Sequence, residues 1–486
     1  MESFLLSLFG TGQDIVKIQL LATWTLSFSD EGIGPVPSKW QGICQDGVRC
    51  NRYFNKGYTA YLNTLNSTFS PVRNSTLFST RDHVGHGTHT LSTAGGNFVT
   101  GANVFGNGNG TAKGGSPKAR VAAYKVCWQP VDDHSCFDAD IMAAFEAAIT
   151  DGVDVLSVSV GGDAEEYFQD GISIGALHAV KNGIVVVTSA GNSGPHPGTI
   201  ENGAPWMITV GASTIDREFT SYIALGNRKH LKGASLSSRG LQSQKYYPLI
   251  SASDAKAAKV SALDALLCKP GSLDPKKVKG KILVCLRGEI ARAEKGLQAA
   301  LAGAVGMILA NDIQNWNDII ADAHVLPASH VNFTDGKSVF DYLNYTKTPM
   351  AYMTRAKTEL DVKPAPFMAA FSSRGPNIIE PAILKPDITA PGVNIIAAFS
   401  EANGPTDENF DKRRVAFNAQ SGTSMSCPHV SGIVGLLKTL HPEWSPAAIQ
   451  SAIMTSGNKI TSRKKFTHVV EFLIFHSTNF CSKNSR

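Results

Sequence analysis

RVAAYKVC (120–127), DADIMAAFEAAIT (138–150) and VDVLSVSVGG (153–162) decide the fold. The first is a short run of apolar, partly β-branched residues, read as a strand buried on both faces. The second places apolar side chains at 141, 142, 145, 148 and 149, the stripe of a helix. The third returns to a buried-strand pattern and stops at Gly161 and Gly162. Working outward, the pattern predicts a helix over 172–181 and strands over 184–188 and 207–210. Parallel strands need a long crossover, and a helix supplies it. The alternation therefore predicts an α/β fold, a parallel sheet covered by helices on both faces, with ligands at the carboxyl ends of the strands.

The chain has 486 residues, which at about 150 per domain allows roughly three domains. Hydrophobic residues make up 43% and charged residues 17%, enough for large cores and too little charge for a disordered chain. The net charge of +5 is spread thinly, with no dense basic patch, so no nucleic-acid partner is expected. No uninterrupted apolar run approaches the roughly 18 residues that a membrane span needs. Six of the eight cysteines fall in close pairs, Cys44 with Cys50, Cys127 with Cys136 and Cys268 with Cys285. Such pairs either close short disulfide loops in a secreted protein or are reduced, buried thiols. Sequons beginning at Asn66, Asn74, Asn109, Asn332 and Asn344 tilt the compartment outward. MESFLLSLFG (1–10) tilts it back, because its apolar core lacks a basic flank and makes a poor secretion signal.

Around Tyr246 the texture changes. KILVCL (281–286), a helical stretch over 290–301 and VGMILA (305–310) make a compact βαβ unit between polar linkers, read as an inserted domain. The first texture resumes near Pro364. It continues into a helix over 424–440 and another with Ser445 as N-cap and Pro446 at its first position. From Gly457 onward the sequence fits no fold pattern.

Three glycine-studded segments could carry chemistry. In Gly85-His86-Gly87-Thr88-His89-Thr90 the glycines leave an imidazole exposed in a tight turn, as a general base requires. A structural histidine or a metal pair with His89 are the alternatives, but no carboxylate or cysteine stands at ligand spacing, so no metal ligand is assigned. In Gly422-Thr423-Ser424-Met425 a serine opens a helix, where free N–H groups and the positive helix end would face an oxyanion. An ordinary N-cap is the plain alternative. In Thr188-Ser189-Ala190-Gly191-Asn192 an asparagine after a buried strand could donate to that oxyanion, or be a turn residue.

Taken together, in this order and on this fold, the segments resemble the subtilisin-like serine proteases, most closely the plant subtilase branch (peptidase S8). The resemblance covers about residues 27–456 and rests on FSDEGIGPVPSKW, DHVGHGTHT, VLSVSVGG, TSAGNSGP, FSSRGPN, KPDITAPG and SGTSMSCPHVSG. It implies a serine endopeptidase in which Ser424 is the nucleophile, His86 the base and Asn192 the oxyanion donor. Ser159, Val160 and Gly161 match the edge that pairs with an extended substrate backbone. Cys427 matches a packing position, and Asp82 a separate, substrate-side acid. The implied organisation is a divergent segment 1–26, a catalytic domain in two parts, 27–245 and 363–456, an inserted protease-associated (PA) domain over 246–362, and a divergent tail 457–486. Peptide substrates, an extracellular location in the apoplast or cell wall, and self-association as a homodimer through the inserted domain are implied as well. No cofactor is implied, and no Asp-rich loop has convincing calcium-ligand spacing.

The chain departs from the family at the third triad member. The family carries an Asp-Thr-Gly turn shortly before the FSDEG phrase, but here QLLATWTLS precedes Phe28 and no acid lies between Asp14 and Asp30. Neither of these, nor Asp82, is a good substitute. Leu21–Leu26 can be encoded as TTG GCA ACT TGG ACA CTG, which read from its third base gives Gly-Asn-Leu-Asp-Thr, so an out-of-frame segment is one explanation. The family's signal, prodomain and fibronectin-like C-terminal domain have no counterpart in the sequence. Three readings follow: a working endopeptidase, a pseudoprotease that binds peptides without cutting them, and a non-functional fragment.

Overall fold

The computed structural model describes residues 26–42, 82–131, 134–462 and 465–469, together with the strands 4–9 and 54–59. Cys44, Cys50, Asn66, Asn74, Asp14 and the stretch 21–25 lie outside the described residues.

The main sheet is built from β1 (Phe4–Phe9), β2 (Phe54–Thr59), β3 (Arg120–Lys125), β4 (Val155–Val158), β5 (Val185–Ser189) and β6 (Ile208–Ser213). Its order among the described strands is β2-β3-β1-β4-β5-β6, and every pair is parallel. The sheet is crossed by α1 (His86–Gly95), α2 (Asp138–Asp151) and α3 (Gly171–Lys181). Alternate strand residues feed two cores. Leu156, Val158 and Val186 pack with Ile141 and Phe145 of α2 and Ile172 of α3. Val155, Val185 and Val187 face the other way, onto Leu91 of α1. A strand buried on both faces cannot alternate with polar residues, which is why VDVLSVSV reads as a nearly continuous apolar run. Each fully buried Val or Leu contributes about 1.5–3 kcal/mol.

The predicted elements fall where the pattern put them, within a residue or two at most ends. Residues 1–26 do not form a wholly separate segment. FLLSLF runs as β1 in mid-sheet, with Leu5 opposite Val121 of β3 and Val155 of β4. An apolar run flanked by strands on both sides looks, in sequence, the same as the core of a leader.

A second sheet follows, from β7 (Glu218–Leu225), β8 (His230–Ala234), β9 (Tyr247–Ser251), β10 (Ile282–Leu286), β11 (Gly306–Ala310), β12 (Ala328–Val331), β13 (Met350–Met353) and β14 (Lys357–Glu359). Its order is β8-β12-β11-β10-β9-β13-β7-β14, and β7 also pairs with β8, so seven strands close on themselves. The helices α4 (Arg292–Leu301) and α5 (Phe333–Tyr345) accompany it, with two short helices at Ala262–Leu266 and Pro275–Val278. This unit begins near Glu218, earlier than the change of texture at Tyr246. The chain then returns to the main sheet with β15 (Ile388–Pro391), parallel to β6. The hairpin β16 (Ile395–Ala398) and β17 (Phe417–Gln420) leads into α6 (Thr423–Leu440) and α7 (Pro446–Ser456), whose Val430, Val434, Ile449 and Ile453 complete the second core. Residues 458–462 and 465–469, in the tail that fitted no pattern, form an antiparallel hairpin beside β15.

Cys127–Cys136 and Cys268–Cys285 are disulfide-bonded, which settles two of the three pairs in favour of closed loops. Cys427 is a free, buried thiol.

Candidate active site

The carboxyl ends of β4 and β5 and the amino ends of α1 and α6 meet at one place. His86 is the first residue of α1, and its N-cap, Gly85, has φ +102°. A Cβ on Gly85 would stand 2.2 Å from the buried ring of Phe399, so position and conformation both demand glycine. The turn before the helix is organised by Asp82. Its carboxylate accepts from the Val84, Gly85 and Thr88 N–H groups and from Thr88 Oγ1, at 3.1, 2.8, 2.7 and 2.7 Å. Both oxygens are therefore spent on the loop. This makes Asp82 the scaffold of the histidine turn.

His86 Nδ1 is buried without a hydrogen-bond partner among the described residues. Burial lowers the pKa of the ring, and the nearby charge of Asp82 opposes the shift. His89, one turn on, does not share its site. Its Nε2 faces the carbonyls of Ile395 and Asn418 at 2.9 and 3.2 Å, so it ties α1 to the β16–β17 hairpin. Burial lowers its pKa to about 3.

Ser424 is the second residue of α6, in the turn whose N–H groups have no intrahelical acceptor. The first of these, Thr423 N–H, donates to Asn192 Oδ1 at 2.9 Å, and Thr423 Oγ1 does so at 3.2 Å. With Oδ1 committed, the Asn192 amide has its Nδ2 donor left over. Gly191 N–H in turn donates to Thr423 Oγ1 at 3.1 Å, locking the Asn192 loop onto the start of α6.

Pro428 sits inside α6. Having no N–H, it cannot bond the carbonyl four residues back, which is that of Ser424. Ser159 Oγ fills the vacancy, donating to Ser424 O at 2.9 Å. The expected edge is thus anchored to the expected nucleophile. Beyond it, Val160 O accepts from Asn202 Nδ2 at 3.0 Å, and the same amide reaches Ser189 O at 2.8 Å, bridging the ends of β4 and β5. Cys427 packs between these strands near Val187 O, and burial pushes its thiol up, as suits a packing residue.

His86, Asn192 and Ser424 line one cleft of about 300 Å³. Its other walls come from Asn418–Gly422, Pro405–Asp407 and the second unit's Arg292 and Ile320–Ala323. The sequence reading missed these last contributions, which no local motif announces. Among the described residues no group of three His, Cys, Asp or Glu side chains could hold a metal ion, and no helix is long and apolar enough to cross a membrane.

The profile of the Peptidase S8 (subtilase) family matches residues 46–471. Subtilisin-like protease SBT5.4 of Arabidopsis thaliana is 63% identical over 465 residues, covering 94% of this chain and 59% of its own length. Subtilisin-like protease SBT5.3 of the same plant is 59% identical over 459 residues, with 92% and 58% covered. The chain thus spans less than two thirds of the relatives it matches. A glycine-framed histidine, the Asn192 loop and a helix-opening serine converge at the strand ends of a parallel sheet, and the family profile spans all three: the chain belongs to the subtilase family.

Proposed function

We propose that the chain is the core of a serine endopeptidase that cleaves peptide bonds through Ser424, His86 and Asn192. His86 Nε2 takes the proton of Ser424 Oγ as Oγ attacks the carbonyl carbon of the scissile bond. The resulting oxyanion accepts from Ser424 N–H and Asn192 Nδ2. Collapse breaks the C–N bond, the protonated His86 gives its proton to the leaving amine, and water then hydrolyses the acyl ester with the same base. The acyl half of the substrate pairs as an extra strand with Ser159, Val160 and Gly161. The convergence of the histidine, serine and asparagine in one cleft carries this reading.

The unit over residues 218–359 is proposed as the PA domain, and the protein as an extracellular glycoprotein. Two disulfides support an oxidising compartment. Asn109 and Asn344 are exposed and suited to glycosylation, whereas Asn332 Nδ2 donates to Asp335 at 2.9 Å within the cap of α5. Homodimerisation through the PA domain completes the proposal.

A second reading, a slow or silent protease that chiefly binds peptides, is favoured by one observation: His86 Nδ1 has no acceptor among the described residues. Without one the imidazole is not held in the tautomer that leaves Nε2 free as a base. Labelling the chain with a fluorophosphonate, with Ser424→Ala as control, tests the first reading, because the reaction needs nucleophile, base and oxyanion donors together. Labelling that the control abolishes supports it; folded protein that takes up no label leaves the peptide-binding reading.

A further inference from the structure

We propose that Asp407 selects a basic side chain on the leaving half of a peptide substrate. This deepens the peptidase reading and rests on it. Ser159–Gly161, proposed to hold the acyl half, is not among the residues lining the cleft. The cleft is lined instead by Ser424, Asn418–Gly422 and Asp407, so the leaving amine and the residues after it are assigned to this cleft.

The charges along this half do not balance. Arg292 is spent on Asp322, through bonds of 2.6 and 3.0 Å. Arg413, behind the wall, is spent on Asp411 and on the carbonyls of Ala323 and His324, which clamps the second unit to the 405–411 loop. Asp82 is spent on its own turn. Asp407 accepts only from Asn403 Nδ2, at 2.5 Å, and has no basic partner among the described residues. Glu408 follows it, and Glu294 of α4 adds a further negative charge opposite Glu408. Desolvation in the cleft and the like charges of Asp82 and Glu408 push the carboxyl of Asp407, an exposed residue, up to about 7, and an arriving cation would draw it back down. The cleft therefore offers a carboxylate with no cationic partner among the described residues, which an ammonium or guanidinium group would satisfy.

The test is binding, so that it does not depend on turnover. The Ser424→Ala chain is titrated by fluorescence anisotropy with peptides that differ only in lysine, norleucine or glutamate at the first, second or third position after the target bond. At one position lysine is expected to bind about three- to tenfold tighter than norleucine, within the range of a partly exposed ion pair. The advantage is expected to vanish in Ser424→Ala/Asp407→Asn. Equal binding of lysine and norleucine, a preference for glutamate, or an advantage that survives Asp407→Asn would overturn the proposal. Folded protein that binds none of the peptides would instead overturn the peptidase reading beneath it.

Discussion

The bond from Ser159 Oγ to Ser424 O exists because residue 428 is proline, and that dependence can be measured. Ser159 is 3% exposed. In Ser159→Ala the Ser424 carbonyl loses its side-chain donor and has no amide to turn to, since Pro428 cannot donate. Leaving a buried acceptor unpaired costs about 1–3 kcal/mol. In Pro428→Ala a backbone N–H is restored four residues on, and the carbonyl can close the normal helical bond. Ser159→Ala made in that background should then cost only the net value of one neutral bond, about 0.5–1.5 kcal/mol. The two substitutions should therefore couple by about 0.5–1.5 kcal/mol, the double variant being more stable than the sum of the singles predicts. The assay is a double-mutant cycle of urea unfolding at fixed pH, with fluorophosphonate labelling rates read alongside. If Ser159→Ala costs the same in both backgrounds, within about 0.5 kcal/mol, the proline does not create the need for the serine, and the account of how edge and nucleophile are joined fails.

Two further outcomes are expected. Gly85→Ala places a methyl group 2.2 Å from Phe399 and forces φ +102° on alanine, so overpacking and backbone strain should cost roughly 2–5 kcal/mol. Unchanged unfolding and labelling would refute the claim that this glycine sets the histidine. Acid should also destabilise the chain early, because burial lowers His89 and His330 to about 3 and His324 to about 4. Their folded values lie below the unfolded 6.5, so as pH falls through 6.5 the unfolded state binds protons that the folded state refuses. Each contributes about 2 kcal/mol of lost stability between pH 7 and 5. Asp407 works in the opposite sense, weakened by its exposure. Equal stability at pH 7 and 5 by urea unfolding would refute the burial of neutral histidines.

What the sequence disclosed was what is locally written. A buried parallel strand must be apolar throughout, a helix must repeat its stripe, and Ser445 with Pro446 announces a helix start, so VDVLSVSV, the α2 stripe and α7 could all be read directly. The three catalytic candidates were legible for the same reason: glycines and small polar residues surround each of them because backbone must approach closely there. β7 and β8 were assigned to the first domain because nothing in EFTSYIAL reveals that its partners are β13 and β14, over a hundred residues later. The 405–411 loop was silent because its place in the cleft is fixed by Arg413 reaching Ala323 and His324, contacts that leave no periodicity behind.

His86 Nδ1, without a partner among the described residues, and the cleft around it bear on separate quantities. In subtilisin, from which the magnitude is taken over, losing the triad Asp lowers kcat by about 3 × 10⁴ and losing the Ser or His by about 2 × 10⁶. The first figure corresponds to about 6 kcal/mol of transition-state stabilisation. None of that energy passes through the Ser159–Gly161 edge, the Asn192–Thr423 lock or Asp407, which do not touch Nδ1. On the proposed reading, substrate affinity would be set by those surfaces, and turnover by whether a carboxylate meets the imidazole. A chain that keeps the first and lacks the second would hold peptides and release them uncut. The peptidase and peptide-binding readings are then two values of one rate constant on the same binding surface, so binding and labelling have to be measured on the same preparation.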